Sequence, residues 1–192
     1  MTAPGLGAET GPDGLARCPW AMSTADLLVY HDTEWGTPVR GDEAMFERFC
    51  LEAFQSGLSW LTILRKRAAF RAAFAGFDLA KVAAFGPQDR DRLLADAGIV
   101  RNRAKIDAAI TNARAALSLP DGLSALVWRY ADDDHPAPVT LADVPAWTPA
   151  SKALSRELKR AGFTFTGPVT AYAAMQATGV VNDHLQACAF RD

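Results

Sequence analysis

From residue 42 to residue 178, apolar side chains recur three and four residues apart, and each run is stopped by glycine or proline. That rhythm restricts the chain to a fold that is nearly all α. Asp42 is placed to cap a helix carrying Met45, Phe46, Phe49, Cys50 and Ala53 on one stripe. Further helices are expected from Ser59-Trp60 through Phe74, over Leu79 to Phe85, from Pro87 to Asp96, from Asn102 to about Leu119 and over Leu123 to Tyr130. Two more start at Pro149 and Pro168, ending near Gly162 and Thr178, and Asn182 to Cys188 reads as a final helical turn or two. Ala97-Gly98-Ile99-Val100 joins two of these as a helix, hairpin, helix unit. Phe163-Thr164-Phe165 alternates like a strand, too short to build a sheet. Residues 132–149, with four prolines, read as a long surface connection.

Residues 1–16, rich in Gly, Ala and Pro, lack the basic start and apolar core of a signal peptide and read as a disordered extension before a single domain over 17–192. No apolar run reaches about 18 residues, so no membrane span is expected. Three widely spaced cysteines argue against a disulfide framework and for a reducing cytoplasm. The net charge of −2 does not point to nucleic acid. Basic residues nevertheless cluster at Arg65-Lys66-Arg67 with Arg71, at Arg101, Arg103 and Lys105, and at Lys152, Arg156, Lys159 and Arg160. Each cluster is either a solvated helix face or part of a phosphate-contacting surface.

The densest chemistry lies in Tyr30-His31-Asp32-Thr33-Glu34-Trp35-Gly36. Cys18 and His31, with His184 and Cys188 four residues apart, make a Cys2His2 set, the ligand types and number of a tetrahedral structural zinc. The alternative for the second pair is a core cysteine beside a surface histidine. Asp32 and Glu34 either orient a ligand histidine or cap a helix. Glu52 falls on the apolar stripe, where a carboxylate is paired, protonated or functional. Trp20, Tyr30, Trp35 and Trp60 are either core aromatics or the walls of a pocket for a flat, cationic ligand whose edge Glu52 reads. Gly98 is either a helix terminus or a point of close approach to phosphate, with Arg101 just beyond. Cys50 reads as core, and His135 shows no partner.

These stretches resemble the bacterial 3-methyladenine DNA glycosylase I family, within the helix-hairpin-helix superfamily. The likeness rests on Tyr30 to Gly36, Cys50-Leu51-Glu52, Gly57-Leu58-Ser59-Trp60, Asp96 to Arg101, Gly162 to Pro168, and Tyr172, Met175-Gln176-Ala177 and Val181-Asn182-Asp183-His184. It implies a structural zinc on Cys18, His31, His184 and Cys188 that joins the two ends of the chain. It further implies that Glu52 hydrogen-bonds a flipped-out 3-methyladenine, that Trp60 stacks on it, and that Tyr30 and Trp35, with Trp20 nearby, line its pocket. The Gln55-Ser56-Gly57-Leu58 loop would probe the gap in double-stranded DNA, Leu58 as wedge, while the Gly98 hairpin holds phosphates. Leu27 stands where the family commonly has a second pocket aromatic, and Phe54 replaces a usual polar residue.

The activity expected from the resemblance is monofunctional hydrolysis of the glycosidic bond of 3-methyladenine, with 3-methylguanine a further candidate substrate, by a monomer. Asp121, at the distance where other superfamily members keep a catalytic aspartate, sits in Pro-Asp-Gly, and a turn explains it. Two rivals remain: a protein that senses alkylated bases in DNA without cutting, and a zinc hydrolase using Glu34 as base.

Overall fold

The second long helix organises the structure, because it is buried on every side over its C-terminal half. A computed structural model of the chain describes residues 6–132 and 135–191. Within them α1 (Ala25–Thr33), α2 (Asp42–Gln55), α3 (Trp60–Ala73), α4 (Leu79–Ala83), α5 (Pro87–Ala95), α6 (Arg103–Leu117), α7 (Gly122–Trp128), α8 (Pro149–Arg160) and α9 (Pro168–Ala177) follow in order. Phe49, Cys50, Leu51, Glu52, Ala53 and Phe54 of α2 are all buried, and α3, α6, α7 and α9 pack around it. Phe46, Phe54, Phe70, Phe74 and Phe77 form the aromatic centre, with Phe54 and Phe70 ring centroids 4.7 Å apart. Each fully buried side chain of this kind contributes roughly 1.5–3 kcal/mol through removal from water.

Local signals set most of the boundaries. Thr24, Ser59, Asp78, Asn102 and Thr148 each accept a backbone N–H of the first turn of the helix they precede. Pro87, Pro149 and Pro168 stand in first turns, where the missing N–H costs nothing. The turn between α5 and α6 is held by side chains: Asp96 Oδ1 accepts the N–H of Gly98 (2.7 Å), and Lys66 Nζ donates to the carbonyls of Ala97 and Gly98 (3.0 and 3.1 Å). A Cβ on Gly98 would meet Ala69 of α3 at 3.0 Å, so this glycine serves close packing of the turn on α3.

Four expectations are corrected. Residues 9–17 are not disordered: Glu9–Thr10 (β1) pairs antiparallel with Ala16–Arg17 (β2), and Arg17 bonds both Asp13 and Asp32. The cap of α2 is Gly41; the Asp42 carboxylate instead accepts the N–H of Ser124, fixing the start of α7. Residues 163–165 form no strand, because Asn112 takes both backbone groups of Thr164 and Phe165 adopts a left-handed φ of 56°. Residues 182–188 are turns rather than helix. Of the acidic triplet 132–134, the last two lie outside the described residues.

Candidate functional site

A cavity of about 180 Å³ opens between α1, α2, α3 and α9, lined by Trp20, Tyr30, Trp35, Glu52, Gln55, Trp60, Ala173 and Gln176. All four aromatics singled out in the sequence line it. Trp20 stands edge-on to Trp35 with centroids 5.0 Å apart, and Tyr30 lies 5.2 Å from Trp60 at a tilt of 46°. Glu52 and Gln55 are three apart on α2 and therefore share a face. Glu52 is 7% exposed and has no hydrogen-bond partner among the described residues. Burial pushes its carboxyl up to about 8, against the pull of Arg48. Burial, and next the nearness of Glu52, holds the Tyr30 hydroxyl protonated far above its usual range. A neutral aromatic box with one ionisable wall suits a flat cation, whose arrival would favour the charged carboxylate.

Behind the aromatic wall Cys18, His31, His184 and Cys188 converge, all buried, with ligand atoms within 4.8 Å of one another. His31 Nε2 and His184 Nδ1 are 3.1 Å apart, and Cys188 Sγ is 3.5 Å from each. Tetrahedral bonds of about 2.0–2.3 Å imply ligand separations of roughly 3.3–3.8 Å. The outward nitrogens are already committed: His31 Nδ1 donates to Asp32 (2.7 Å) and His184 Nε2 to the carbonyl of Trp35 (3.0 Å). Both inward nitrogens therefore present lone pairs to one point, which a cation resolves. Of the two thiols, Cys188 is held below its ordinary range by a hydrogen bond from Cys18, against the effect of burial. The donor set fits a metal ion.

This convergence depends on two glycines. Gly36, at φ 77°, lies so close to His184 that a Cβ would come within 2.9 Å of the ring, and a Cβ on Gly179 would meet the carbonyl oxygen of Gly36 at 2.5 Å. The segment after α1 thus crosses the end of α9 with side chains removed, and Gly36 N–H bonds the Gln176 carbonyl at 3.2 Å. Glu34 is not part of the Cys2His2 cluster and is bound by Arg48 and Arg67 instead. Burial resists its ionisation, but Arg67 and Arg48 overcome this and hold it at about 2.

At the mouth, Gln55 ends α2 and Ser56, Gly57 and Leu58 form a loop with Gly57 at φ 81° and Leu58 43% exposed. Val169 and Thr170 of α9 face it across a shallow groove. Of the basic clusters, Arg65 pairs with Asp26, Arg67 with Glu34 and Arg71 with Glu47. Lys105 is buried and donates to the carbonyls of Phe54 (2.9 Å) and Ser56 (2.6 Å). Arg101 and Arg103 stay exposed, with no ion-pair partner among the described residues.

Residues 20–192 match the methyladenine glycosylase family. The chain belongs to that family. It is 44% identical over 179 residues to DNA-3-methyladenine glycosylase 1 of Escherichia coli, covering 91% of this chain and 96% of that one. It is 41% identical to the DNA-3-methyladenine glycosylase of Haemophilus influenzae, covering 90% and 96%. A solved structure of a 3-methyladenine DNA glycosylase I variant in complex with 3-methyladenine has a TM-score of 0.85 at 33% identity, covering 92% of this chain and 97% of that one.

Within this methyladenine glycosylase the two departures from the family pattern fall outside the cavity. Phe54 is 1% exposed in the aromatic core, and Leu27 is not among the residues that line the cavity. Sequence reasoning missed Ala173 and Gln176, although Gln176 is a polar residue in an otherwise apolar stretch of α9 and shares a face with Ala173. It also missed the partner of His135, whose Nε2 bonds Asp183 at 2.7 Å.

Proposed function

We propose that this methyladenine glycosylase hydrolyses the N-glycosidic bond of 3-methyladenine flipped out of duplex DNA, the first step of base-excision repair. The observation that carries the reading is Glu52, a buried carboxylate without a hydrogen-bond partner in an aromatic cavity. 3-Methyladenine in DNA is cationic, so its bond to the sugar is already weakened and the base leaves neutral, with little need for a proton donor. Trp60 stacks on the base while Tyr30, Trp35 and Trp20 wall it in, and Glu52 pairs with it. Water adds to the sugar carbon as the base departs. Lys105 is committed to two carbonyls, which supports a monofunctional enzyme without a lysine nucleophile.

The helix-hairpin-helix role falls to α5, the Gly98 turn and α6. Arg101 reaches phosphates there, while Leu58, with Gly57 and Gln55, fills the gap left in the stack. The two helical lobes of residues 17–192 then grip duplex DNA from either side of the cleft, one monomer per lesion. Cys18, His31, His184 and Cys188 hold Zn2+, which supplies a structural tie between the ends of the chain. Four protein ligands leave no position for water, and Glu34 is held by arginines, so the zinc-hydrolase alternative has no support. No helix among the described residues is long and apolar enough to cross a membrane; DNA as substrate and three free cysteines fit the cytoplasm.

The test is release of free 3-methyladenine from methylated duplex DNA by the wild type and by Glu52→Gln. Release that falls at least a hundredfold in the variant is the expected result. A folded, zinc-loaded wild type that binds methylated DNA and releases nothing would overturn catalysis and leave a sensor of alkylated bases.

A further inference from the structure

We infer that Gln176 is a fixed hydrogen-bond acceptor in the base pocket, which selects lesions carrying an exocyclic amine and rejects those carrying an oxo group in its place. The inference rests on the glycosylase reading of the same cavity and adds the determinant of its substrate class.

Gln176 lines the cavity from α9, together with Ala173. A glutamine amide is ordinarily an ambiguous reader, since rotation by half a turn exchanges acceptor for donor. Here the rotation is blocked. Gln176 Nε2 donates to Asp183 Oδ2 at 2.6 Å. The same carboxylate receives the Tyr172 hydroxyl on Oδ2 at 2.6 Å and His135 Nε2 on Oδ1 at 2.7 Å. Three donors converge on Asp183, whose side chain is 1% exposed. Its two oxygens accept all three, so a flipped Gln176 oxygen would face an acceptor rather than a donor. Turning the amide over would set that oxygen against an Asp183 oxygen and lose the hydrogen bond that Gln176 makes there. Gln176 Oε1 has no partner among the described residues, so it is the polar atom left for a ligand.

The exocyclic amine of an alkylated adenine has two N–H bonds. Glu52 takes one and Gln176 Oε1 the other. A guanine-type lesion presents a carbonyl oxygen at that position, which would face an acceptor that cannot invert. Glu52 alone is a poorer discriminator, because a carboxyl group that gains a proton becomes a donor. His135 and Tyr172 act through Asp183 and are positioning residues.

The experiment titrates free 3-methyladenine and free 3-methylguanine against the zinc-loaded full chain, following quenching of the pocket tryptophans, for the wild type, Q176M and D183N. Release of both bases from methylated duplex DNA is measured in parallel. Q176M keeps the length and bulk of the side chain, and is expected to lower the 3-methyladenine preference in binding about tenfold, the worth of one hydrogen bond. D183N frees the amide to turn its donor inward and should shift the preference further toward 3-methylguanine; zinc content and melting temperature are measured alongside, so that the shift is read on folded, zinc-loaded protein. A Q176M preference within twofold of wild type overturns the inference, and so does a wild type that binds neither base. Binding selectivity that follows Gln176 without any base release by the wild type would sink the glycosylase reading and leave the acceptor role standing.

Discussion

Lys105 Nζ lies 2.6 Å from the carbonyl oxygen of Ser56, so the helix after the Gly98 turn directly holds the loop that carries Leu58. The element expected on phosphates and the element expected in the base stack are therefore one mechanical unit.

Replacing Lys105 with Met removes both hydrogen bonds and leaves two carbonyls at the end of α2 unpaired. The expected cost is about 1–3 kcal/mol in urea unfolding, with base release from duplex DNA impaired more than binding of free 3-methyladenine. Equal losses in the two assays would show that the loop is not what Lys105 positions.

Glu52 gives a pH signature. Its folded-state value of about 8 lies above the ordinary 4.5, so its contribution to stability is fully present below about 4.5 and is lost as pH rises toward 8. Across that window the wild type should lose up to about 1.4 kcal/mol per pH unit relative to Glu52→Gln. Chemical denaturation of both proteins at pH 5 and pH 8 measures it. Activity should move the other way, kcat/KM rising as Glu52 ionises and levelling above pH 8; a profile flat from 5 to 9 would remove Glu52 from the chemistry.

Metal analysis should find one zinc per chain. Cys188→Ser is expected to lose that zinc and to melt about 10 °C lower or more. An unaltered melting temperature after complete chelation would rule out a structural ion.

Arg101→Ala and Arg103→Ala should weaken duplex binding without changing the affinity for free base. Each is expected to lower the slope of log affinity against log salt by about 0.9. A slope that stays at the wild-type value would place the phosphates elsewhere.

Spacing alone marked Glu52 as paired, protonated or functional, because a carboxylate on an apolar stripe demands an explanation; its place beside the aromatics, open on spacing alone, came from the resemblance. Phe54 was not: two residues further on, a helix has turned about 200°, which sends the side chain to the opposite face and into the core. The Cys2His2 cluster was legible by residue type, yet the expected helix at 182–188 is absent, and the approach comes from the crossing at Gly36 and Gly179. Lys105 read as either solvated helix face or phosphate contact, because its carbonyl partners lie about fifty residues away in sequence. The same distance hides the pairing of His135 with Asp183, 48 residues on. Pattern along a chain reports faces and caps; it does not report which remote group completes a polar side chain.

Cys18 and His184 meet across 166 positions of sequence. An ion held between them binds the folded chain and not the unfolded one, so its binding free energy goes into keeping the two ends of the polypeptide together. The helices around α2 need no such closure, whereas Trp20, Tyr30 and Trp35 belong to the segment that the clasp draws in. Loss of a bound ion is thus expected to act first as a loss of lesion affinity, with the helical core still formed: the clasp would be a condition for seeing damage rather than for folding.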